Sequence, residues 1–347
     1  MKKTLCLALT LAFILGVFGL AQAEAMKING AGASFPYPVY SQWAHKYKDL
    51  KEVEVNYQSI GSGGGIAQIK AKTVNFGGTD KPLKLEEQKE SDLLMFPMLI
   101  GGIVPVVNIK GIKAGELQLS QELLANIFMG NIKSWDDPAI KKANPDLKLP
   151  KQAITIVHRA DGSGSTWLFT HYLSQISPDW KAKVGYGKVV SWPTGIGAKG
   201  NEGVAANVNR VMGGIGYVEY AYAIKGNLTY AKLENQAGKF VAPSIESFQS
   251  AAAYADWKNA PGYFMVLTNQ PGDNTWPIAG ATFILIHKTQ PDVKLAKAML
   301  EYFEWCFKHG SDIATQLHYV PMPEEVVKMV EASWTQEVKA DGQPVWQ

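Results

Sequence analysis

The stretch His158-Arg159-Ala160-Asp161-Gly162-Ser163-Gly164-Ser165-Thr166 lies between two segments of different pattern. Residues 154–157 before it are rich in β-branched side chains, which predicts a short strand. After it, apolar side chains recur near helical spacing, which predicts an amphipathic helix. A small polar turn at this junction exposes the free N–H groups of a helix start, and these groups and the helix dipole favour a bound anion. Three hydroxyl groups add further donors: Ser163, Ser165 and Thr166.

The arginine of this stretch is scarce in the chain. Only Arg159 and Arg210 are arginines among the 34 basic residues. The planar guanidinium fork matches oxyanions better than a lysine does, and Asp161 is a potential partner for it. The ordinary alternative is a solvated turn in which Asp161 or Ser163 is the helix N-cap. The position of Arg159 favours an anion site.

The N-terminus has the pattern of a secretory signal peptide. Met1-Lys2-Lys3 precedes an uncharged apolar run, and Ala21-Gln22-Ala23 offers a small-x-small cleavage site. The run is long enough to be an uncleaved membrane anchor, but its position and the cleavage motif favour removal. We therefore predict a cleaved signal peptide over residues 1–23 and export of the remainder.

Charge and cysteine content limit the class of protein. Removal of residues 1–23 takes away Lys2 and Lys3 and lowers the formal charge from +3 to +1. Charges this balanced and interspersed lack the footprint of a nucleic-acid binder. Cys306 is then the sole cysteine, so an internal disulfide is excluded. The remaining length, about 320 residues, indicates two domains stabilised by packing.

Three further strand ends resemble the opening stretch. Ser34 follows the Gly/Ala-rich residues 28–33 and is predicted to cap a helix. Ser62 follows a strand at residues 53–57, and Asp80 follows a short strand at residues 74–78. In open α/β sheets, ligands bind beyond the carboxyl ends of the strands. The recurrence of this pattern predicts one ligand site built from several strand ends.

The remaining pattern alternates strands and helices, which predicts an α/β fold. Residues 93–109 are apolar with Pro and Gly breaks, long enough for two strands that carry the chain from one lobe to another. An apolar strand at 282–286 would return it. Two helices, at 293–308 and 323–334, are predicted to end the chain.

Catalytic and cofactor motifs are weak or missing in the sequence. Residues 195–200 match the dinucleotide pattern Gly-x-Gly-x-x-Gly, with Glu219 at a suitable distance, but Trp192-Pro193 breaks any strand just before the turn. The six histidines lack metal-ligand spacing, and a Walker A motif and a nucleophile elbow are not found. We predict a protein that is not an enzyme and that uses no cofactor or metal.

Several motifs in order along the mature chain resemble the periplasmic phosphate-binding proteins of high-affinity phosphate ABC importers. The matching segments span residues 30–36, 56–62, 76–80, 159–164, 200–205 and 215–222. The resemblance implies a type II periplasmic-binding-protein fold in two lobes, each a central mixed sheet flanked by helices, with two hinge crossovers. It implies a discontinuous lobe I, residues 26–104 plus 276–347, and a lobe II of residues 105–275.

The resemblance also implies a ligand set and partners. The phosphate ligands would be Ser34, Phe35, Ser62, Asp80, Arg159, Ser163, Gly164 and Ser165. Phe35 and Gly164 would bind through the backbone, and Asp161 would orient Arg159. Ser34 and Ser165 depart from the threonines that are commoner in the family, but they keep the hydroxyl. Inorganic phosphate and the membrane permease subunits of a phosphate ABC importer are the implied partners, for a monomer in the periplasm.

Asp80 decides between phosphate and other oxyanions. A carboxylate in an anion site repels its ligand unless the ligand carries a proton. Phosphate near neutral pH carries a P–OH and sulfate does not, so the expected ligand is phosphate rather than sulfate or molybdate. An exported phosphatase would need a nucleophile and base or a metal cluster, and a surface adhesin is disfavoured by the lack of repeats.

Overall fold

The computed structural model describes residues 26–347. The predicted signal peptide, residues 1–23, lies outside this range. Within the described residues, none of the helices has the length and apolar character needed to cross a membrane.

The described residues contain sixteen strands, most of them short. They are β1 (Lys27–Gly32), β2 (Glu54–Ser59), β3 (Phe76–Thr79), β4 (Leu93–Val107), β5 (Gln118–Leu119), β6 (Thr155–Arg159), β7 (Ile196–Ala198), β8 (Gly214–Glu219), β9 (Thr229–Tyr230), β10 (Lys232–Glu234), β11 (Phe240–Val241), β12 (Ala279–His287), β13 (Thr289–Gln290), β14 (Val320–Pro321), β15 (Lys339–Ala340) and β16 (Gln343–Pro344).

The described helices alternate with these strands through most of the chain. The α-helices are α1 (Tyr37–Lys51), α2 (Gly61–Lys70), α3 (Leu85–Glu90), α4 (Gln121–Phe128), α5 (Pro138–Ala143), α6 (Gly164–Ile176), α7 (Pro178–Lys183), α8 (Gly200–Arg210), α9 (Tyr220–Lys225), α10 (Ile245–Ala252), α11 (Val293–His309), α12 (Ser311–Gln316) and α13 (Glu324–Glu337). Two 3₁₀ turns, Trp257–Asn259 and Pro261–Tyr263, lie between α10 and β12.

One long mixed sheet, with strand order β2-β1-β3-β12-β4-β8-β6-β7, organises the molecule, and β14 and β9 also pair with β4. Strand β4 changes partner along its length, because Leu93–Gly102 pairs with β12 and Ile103–Val107 pairs with β8. We call β1, β2, β3, β12, β14 and the first part of β4, with the loops and helices around them, the first lobe. The second lobe is built in the same way on β6 to β9 and the last part of β4. The partner change lies two residues before the predicted boundary at 104/105, which stays a prediction, as does the one at 275/276.

Strand β4 corrects the prediction of two strands in residues 93–109. It is one continuous strand of 15 residues, all of them buried. The proline and glycine positions do not break it. Pro97 lies at an irregularity in the register opposite β12. Gly102 leaves room for a neighbouring ring, because a Cβ at this position would lie 2.1 Å from the ring of Phe248. The predicted passage of the chain between the lobes is therefore made within a single strand.

The C-terminal region also differs from the prediction of two helices. A third helix, α12, separates α11 from α13, and the short strands β15 and β16 follow α13. The turn between α11 and α12 is held by Trp43, whose Nε1 donates to the carbonyl oxygen of Gly310 at 2.9 Å. This long-range contact joins α1 to the end of α11, which no local pattern in the sequence indicates.

Strand direction places the functional loops. Strand β1 pairs in parallel with β2 and β3, and β6 pairs in parallel with β7 and β8. The carboxyl ends of parallel strands meet at the same edge of a sheet. The ends of β1, β2 and β3 lead into Ser34, Ser62 and Asp80, and β6 ends at Arg159. The fold thus brings the predicted site loops of both lobes together.

Candidate functional site

Arg159 is the last residue of β6 rather than part of the loop after it, and it is 4% exposed. Its Nε donates to Oδ1 of Asp161 at 2.7 Å, and its Nη2 donates to Oδ2. Burial works against the charge of the guanidinium, but the hydrogen bond and charge of Asp161 outweigh it and raise the Arg159 pKa. Burial likewise acts to raise the pKa of Asp161, and the hydrogen bond and charge of Arg159 lower it overall. The predicted ion pair is present.

The third guanidinium nitrogen of Arg159 differs from the other two. Nη1 is buried and has no hydrogen-bond partner among the described residues. A buried donor without a partner is costly, and most at a charged group. Asp161 therefore fixes the orientation of the guanidinium while Nη1 remains free to donate to a ligand.

The turn after Arg159 begins helix α6. Ser163 is the N-cap, because its Oγ accepts from the N–H of Thr166 at 3.0 Å. Ser163 is thus one of the two caps named in the alternative interpretation, but the turn is not solvated there, because Ser163, Ser165 and Thr166 are buried. Tyr217 on β8 supports the turn, since its hydroxyl accepts from the Arg159 N–H at 3.2 Å and lies 2.6 Å from the Thr166 hydroxyl.

Ser62, at the start of α2, connects the two lobes. Its Oγ accepts from the N–H of Asp80 and from the N–H of Gly164, both at 3.1 Å. The backbone at Gly164 lies very close to the first lobe: a Cβ on this residue would be 2.6 Å from the Asp80 Cβ and from the Ser62 Oγ. The backbone of the second lobe can meet the first lobe here only because residue 164 is glycine.

Asp80 is a buried carboxyl at the end of β3, 2% exposed. The Thr282 hydroxyl on β12 donates to its Oδ1 at 2.9 Å, and the Ser62 hydroxyl lies 3.5 Å from its Oδ2. Burial raises the Asp80 pKa from 3.8 to about 7, against the lowering effects of the Thr282 hydrogen bond, the Arg159 charge and the Ser62 hydrogen bond. Asp80 can therefore share a proton near neutral pH.

Ser34 does not cap α1 as predicted. Helix α1 begins after Pro36 without a side-chain cap. The Ser34 hydroxyl instead accepts from Asn201 at the start of α8, from its N–H at 3.1 Å and its Nδ2 at 2.9 Å. The loop is fixed from the other side by two tyrosines, since Tyr222 donates to the Ser34 carbonyl at 2.6 Å and Tyr319 to that of Phe35 at 2.7 Å.

The structure thus brings together the predicted site residues of both lobes. Buried side chains at the lobe contact are Ser34, Ser62, Asp80, Arg159, Ser163 and Ser165. The Phe35 side chain is also buried, and Gly164 is in contact with Ser62. The glycine pattern at 195–200 contributes in an unexpected way, because the N–H of Gly200 donates to Oδ1 of Asp161 at 3.1 Å. Within the described chain, no group of three His, Cys, Asp or Glu side chains is suited to a metal.

Sequence reasoning assigned no role at the site to the residues that support it: Asn201, Tyr217, Glu219, Thr282 and Tyr319. Thr282 had one usable signal, as the single polar residue in the apolar run 279–286. Glu219 is fully buried, and burial raises its pKa well above its usual range, against a lowering effect of the hydrogen bond with Tyr319. These residues are remote in sequence from the side chains they contact, so only the fold reveals them.

Comparison with protein families places this architecture among known proteins. The model described as "PBP superfamily domain" matches residues 20–307. The phosphate-binding protein PstS of Pasteurella multocida is 53% identical over 341 residues, covering 98% of this chain and 99% of that protein. PstS of Xylella fastidiosa is 52% identical over 318 residues, covering 92% and 87% of the two chains.

Two solved structures share the fold at low sequence identity. The phosphate-binding protein of Stenotrophomonas maltophilia aligns with a TM-score of 0.70 at 18% identity, over 92% of this chain and 97% of that one. An ABC-type phosphate transport receptor from Vibrio cholerae aligns with a TM-score of 0.53 at 18% identity, over 85% and 100% of the two chains.

Proposed function

This chain belongs to the PBP superfamily and, within it, to the PstS phosphate-binding proteins, and on that premise we propose that it captures inorganic phosphate between its lobes and delivers it to an ABC importer. The observation that carries the proposal is the buried Nη1 of Arg159, without a partner among the described residues. Against the raising effect of burial, the charge of the same guanidinium acts to lower the pKa of Asp80 in the first lobe, which supports a site shared by the two lobes. An anion satisfies both the unpaired donor and the surrounding hydroxyl and N–H groups.

Hydrogen bonds rather than net charge would hold the anion. The charge of Arg159 is balanced by Asp161 at hydrogen-bond distance, so little uncompensated charge attracts the ligand. Hydrogen bonds to a charged group contribute about 1.5–3 kcal/mol each. Several such bonds offset the desolvation of phosphate and give micromolar or tighter binding, since a Kd of about 1 μM corresponds to roughly −8 kcal/mol.

We assign the phosphate contacts to the residues that meet at the lobe contact. Arg159 donates through Nη1, and the hydroxyls of Ser34, Ser62, Ser163 and Ser165 donate beside it. The backbone N–H groups of Phe35 and Gly164 complete the donor set. The Gly164 N–H donates to Ser62 at 3.1 Å in the structure, and phosphate would take over that hydrogen bond.

Asp80 would supply selectivity. Phosphate near neutral pH carries a P–OH that can donate to a carboxylate, whereas sulfate presents only acceptors. A site built to pair with a hydroxyl rejects analogues that lack it by about 10⁴–10⁵-fold. The raised pKa of Asp80, about 7, suits a proton shared with the ligand.

The setting of this function completes the proposal. The signal peptide over residues 1–23 would be cleaved and the mature monomer would act in the periplasm. There it would present phosphate to the membrane permease subunits without turning it over. A hinge motion between the lobes at β4 and β12 would open and close the site.

Isothermal titration calorimetry on phosphate-stripped mature protein tests the ligand. We expect one phosphate per chain at micromolar or lower Kd and no heat from millimolar sulfate. Comparable binding of sulfate would contradict the role of Asp80, and absence of phosphate binding would contradict the proposed function. Phosphate uptake by vesicles containing the importer, with and without this protein, tests delivery.

A further inference from the structure

Asn201, which is not among the predicted site residues, is hydrogen-bonded to two of the proposed phosphate-binding hydroxyls. It is the second residue of α8 in the second lobe and is fully buried. Its Nδ2 donates to the Ser34 hydroxyl at 2.9 Å and to the Ser165 hydroxyl at 3.3 Å. Ser34 belongs to the first lobe and Ser165 to the second. One amide group therefore joins two proposed phosphate-binding hydroxyls across the lobe contact.

The backbone fixes which way this amide faces. The N–H of Glu219 on β8 donates to the Asn201 Oδ1 at 2.9 Å. An N–H can only donate, so the amide oxygen must face it and the amide nitrogen must face the serines. The two hydrogens of the nitrogen are then directed to Ser34 and Ser165. The orientation of Asn201 follows from its partners.

Asn201 thereby limits what the serine hydroxyls can do. The Ser34 Oγ accepts two hydrogen bonds from Asn201, one from Nδ2 and one from the backbone N–H at 3.1 Å. A hydroxyl has two acceptor lone pairs and one hydrogen. With both lone pairs of Ser34 occupied, its remaining capacity is to donate. Ser165 has one lone pair occupied in the same way.

We infer that Asn201 is a positioning residue that holds the hydroxyls of Ser34 and Ser165 as hydrogen-bond donors to the anion. The inference rests on the proposed phosphate function and explains why these two hydroxyls donate hydrogen bonds to the anion rather than accept them. Serine hydroxyls rotate and can accept as readily as donate. With Asn201 in place, the Ser34 hydroxyl can only donate to the ligand and the Ser165 hydroxyl keeps one free lone pair, whereas the Asp80 carboxylate accepts.

The Asn201→Asp variant reverses this polarity with little change in side-chain size. A carboxylate accepts hydrogen bonds, so it draws the serine hydrogens away from the ligand and adds a negative charge. We expect phosphate Kd, measured by calorimetry, to rise about 100-fold or more. Asn207→Asp is the matched control, since it makes the same change on α8 at a side chain that donates to the Gly203 carbonyl. We expect the control to stay within about twofold of the wild type.

A double-mutant cycle separates positioning from a structural role. Asn201→Ala should weaken phosphate binding about tenfold in the wild-type background. In the Ser34→Ala, Ser165→Ala background the same substitution should change Kd by less than about twofold, because the hydroxyls to be oriented are gone. The inference would be overturned if Asn201→Ala raised the phosphate Kd by the same factor in both backgrounds, or if it left the wild-type Kd unchanged.

Two further measurements distinguish a folding defect and a failure of the proposed function from a failure of the inference about Asn201. Melting temperatures of all variants show whether each is folded, and if Asn201→Ala is not, Asn201→Ser takes its place in the cycle. Wild-type binding is measured first with inorganic phosphate. If the wild type does not bind, the proposed function fails. If it binds and the cycle shows no coupling, only the inference about Asn201 fails.

Discussion

The two lobes each bring an aspartate to the site, and the two aspartates have opposite electrostatics. Asp80 of the first lobe is buried with hydroxyl partners, and burial raises its pKa to about 7. Asp161 of the second lobe, also subject to burial, is paired with Arg159, and the pairing lowers its pKa. Burial favours the neutral carboxyl unless an opposite charge is within reach. The first lobe thus offers a carboxyl that can share a proton, and the second offers a permanently ionised pair.

This difference divides the work of recognition between the lobes. The second lobe holds the guanidinium that any tetrahedral oxyanion would satisfy. The first lobe holds the acceptor that only a protonated oxyanion satisfies. Affinity and selectivity therefore depend on different aspartates, and each can be removed separately.

Replacing Asp80 with asparagine should have the largest effect, on selectivity. The amide can donate to sulfate, so we expect the ratio of phosphate to sulfate affinity to fall about 100-fold or more. Competition calorimetry with both anions measures it. Asp161→Asn is the comparison from the other lobe, and it should weaken both anions while leaving their ratio within about twofold. An unchanged ratio in Asp80→Asn would show that the first lobe does not select the ligand.

Arg159→Ala should cause a large loss of phosphate affinity. It removes the only guanidinium at the site, and the loss of a buried charged hydrogen bond to the ligand costs about 2–5 kcal/mol, or roughly 30-fold or more in Kd. Arg210→Ala is a matched control, because this other arginine is exposed and contacts only Asn207, at 3.5 Å, among the hydrogen bonds described. Equal Kd values for the two variants, by calorimetry, would argue against the role of the second lobe.

Gly164→Ala tests whether the lobes must approach as closely as they do here. The added Cβ would lie 2.6 Å from the Asp80 Cβ and the Ser62 Oγ. Overpacking of this kind costs about 1–3 kcal/mol, so we expect roughly tenfold weaker phosphate binding. In Gly203→Ala the new Cβ would lie 3.6 Å from Ala198, an ordinary contact, and binding should be unchanged. A wild-type Kd for Gly164→Ala would contradict the close approach.

A separate expected effect is on the pH dependence of ligand-free stability. The Asp80 pKa is about 7 when folded against 3.8 as its ordinary value. The folded state therefore holds a proton that the unfolded state has lost between these values. Stability should fall as pH rises from about 4 to 7, by at most about 1.4 kcal/mol per unit.

Asp80→Asn removes the carboxyl that takes up this proton. The difference between the melting temperatures of the variant and the wild type should therefore rise by a few degrees from pH 4 to pH 7, in favour of the variant. Scanning calorimetry at several pH values measures the difference. Glu219 remains in both proteins, and its own pH dependence cancels in the comparison. Parallel curves for the two proteins would show that the pKa of Asp80 does not change on folding.

The sequence predicted the elements around the site well where the signal was local. The two-lobed α/β fold is confirmed, and the Arg159–Asp161 pair, which joins residues two apart, is present. The prediction that Ser34 caps a helix is wrong, because its hydroxyl is hydrogen-bonded to Asn201, 167 residues later in the chain. The predicted break in residues 93–109 is wrong because β4 is buried along its whole length, where neighbouring strands satisfy the backbone.

By itself, the sequence determined which residues could bind an oxyanion: the strand ends, the glycine and serine turns, the scarce arginine and its aspartate. These features depend on residues close together in the chain, because a few neighbouring residues are enough to fix a turn or a helix start. The tertiary structure decided how those residues behave. It buries Asp80 beside Thr282, leaves Nη1 of Arg159 unpaired, and places Asn201 between two serines. The polarity of a hydroxyl and the pKa of a carboxyl depend on partners brought from distant parts of the chain, and only the folded lobes supply them.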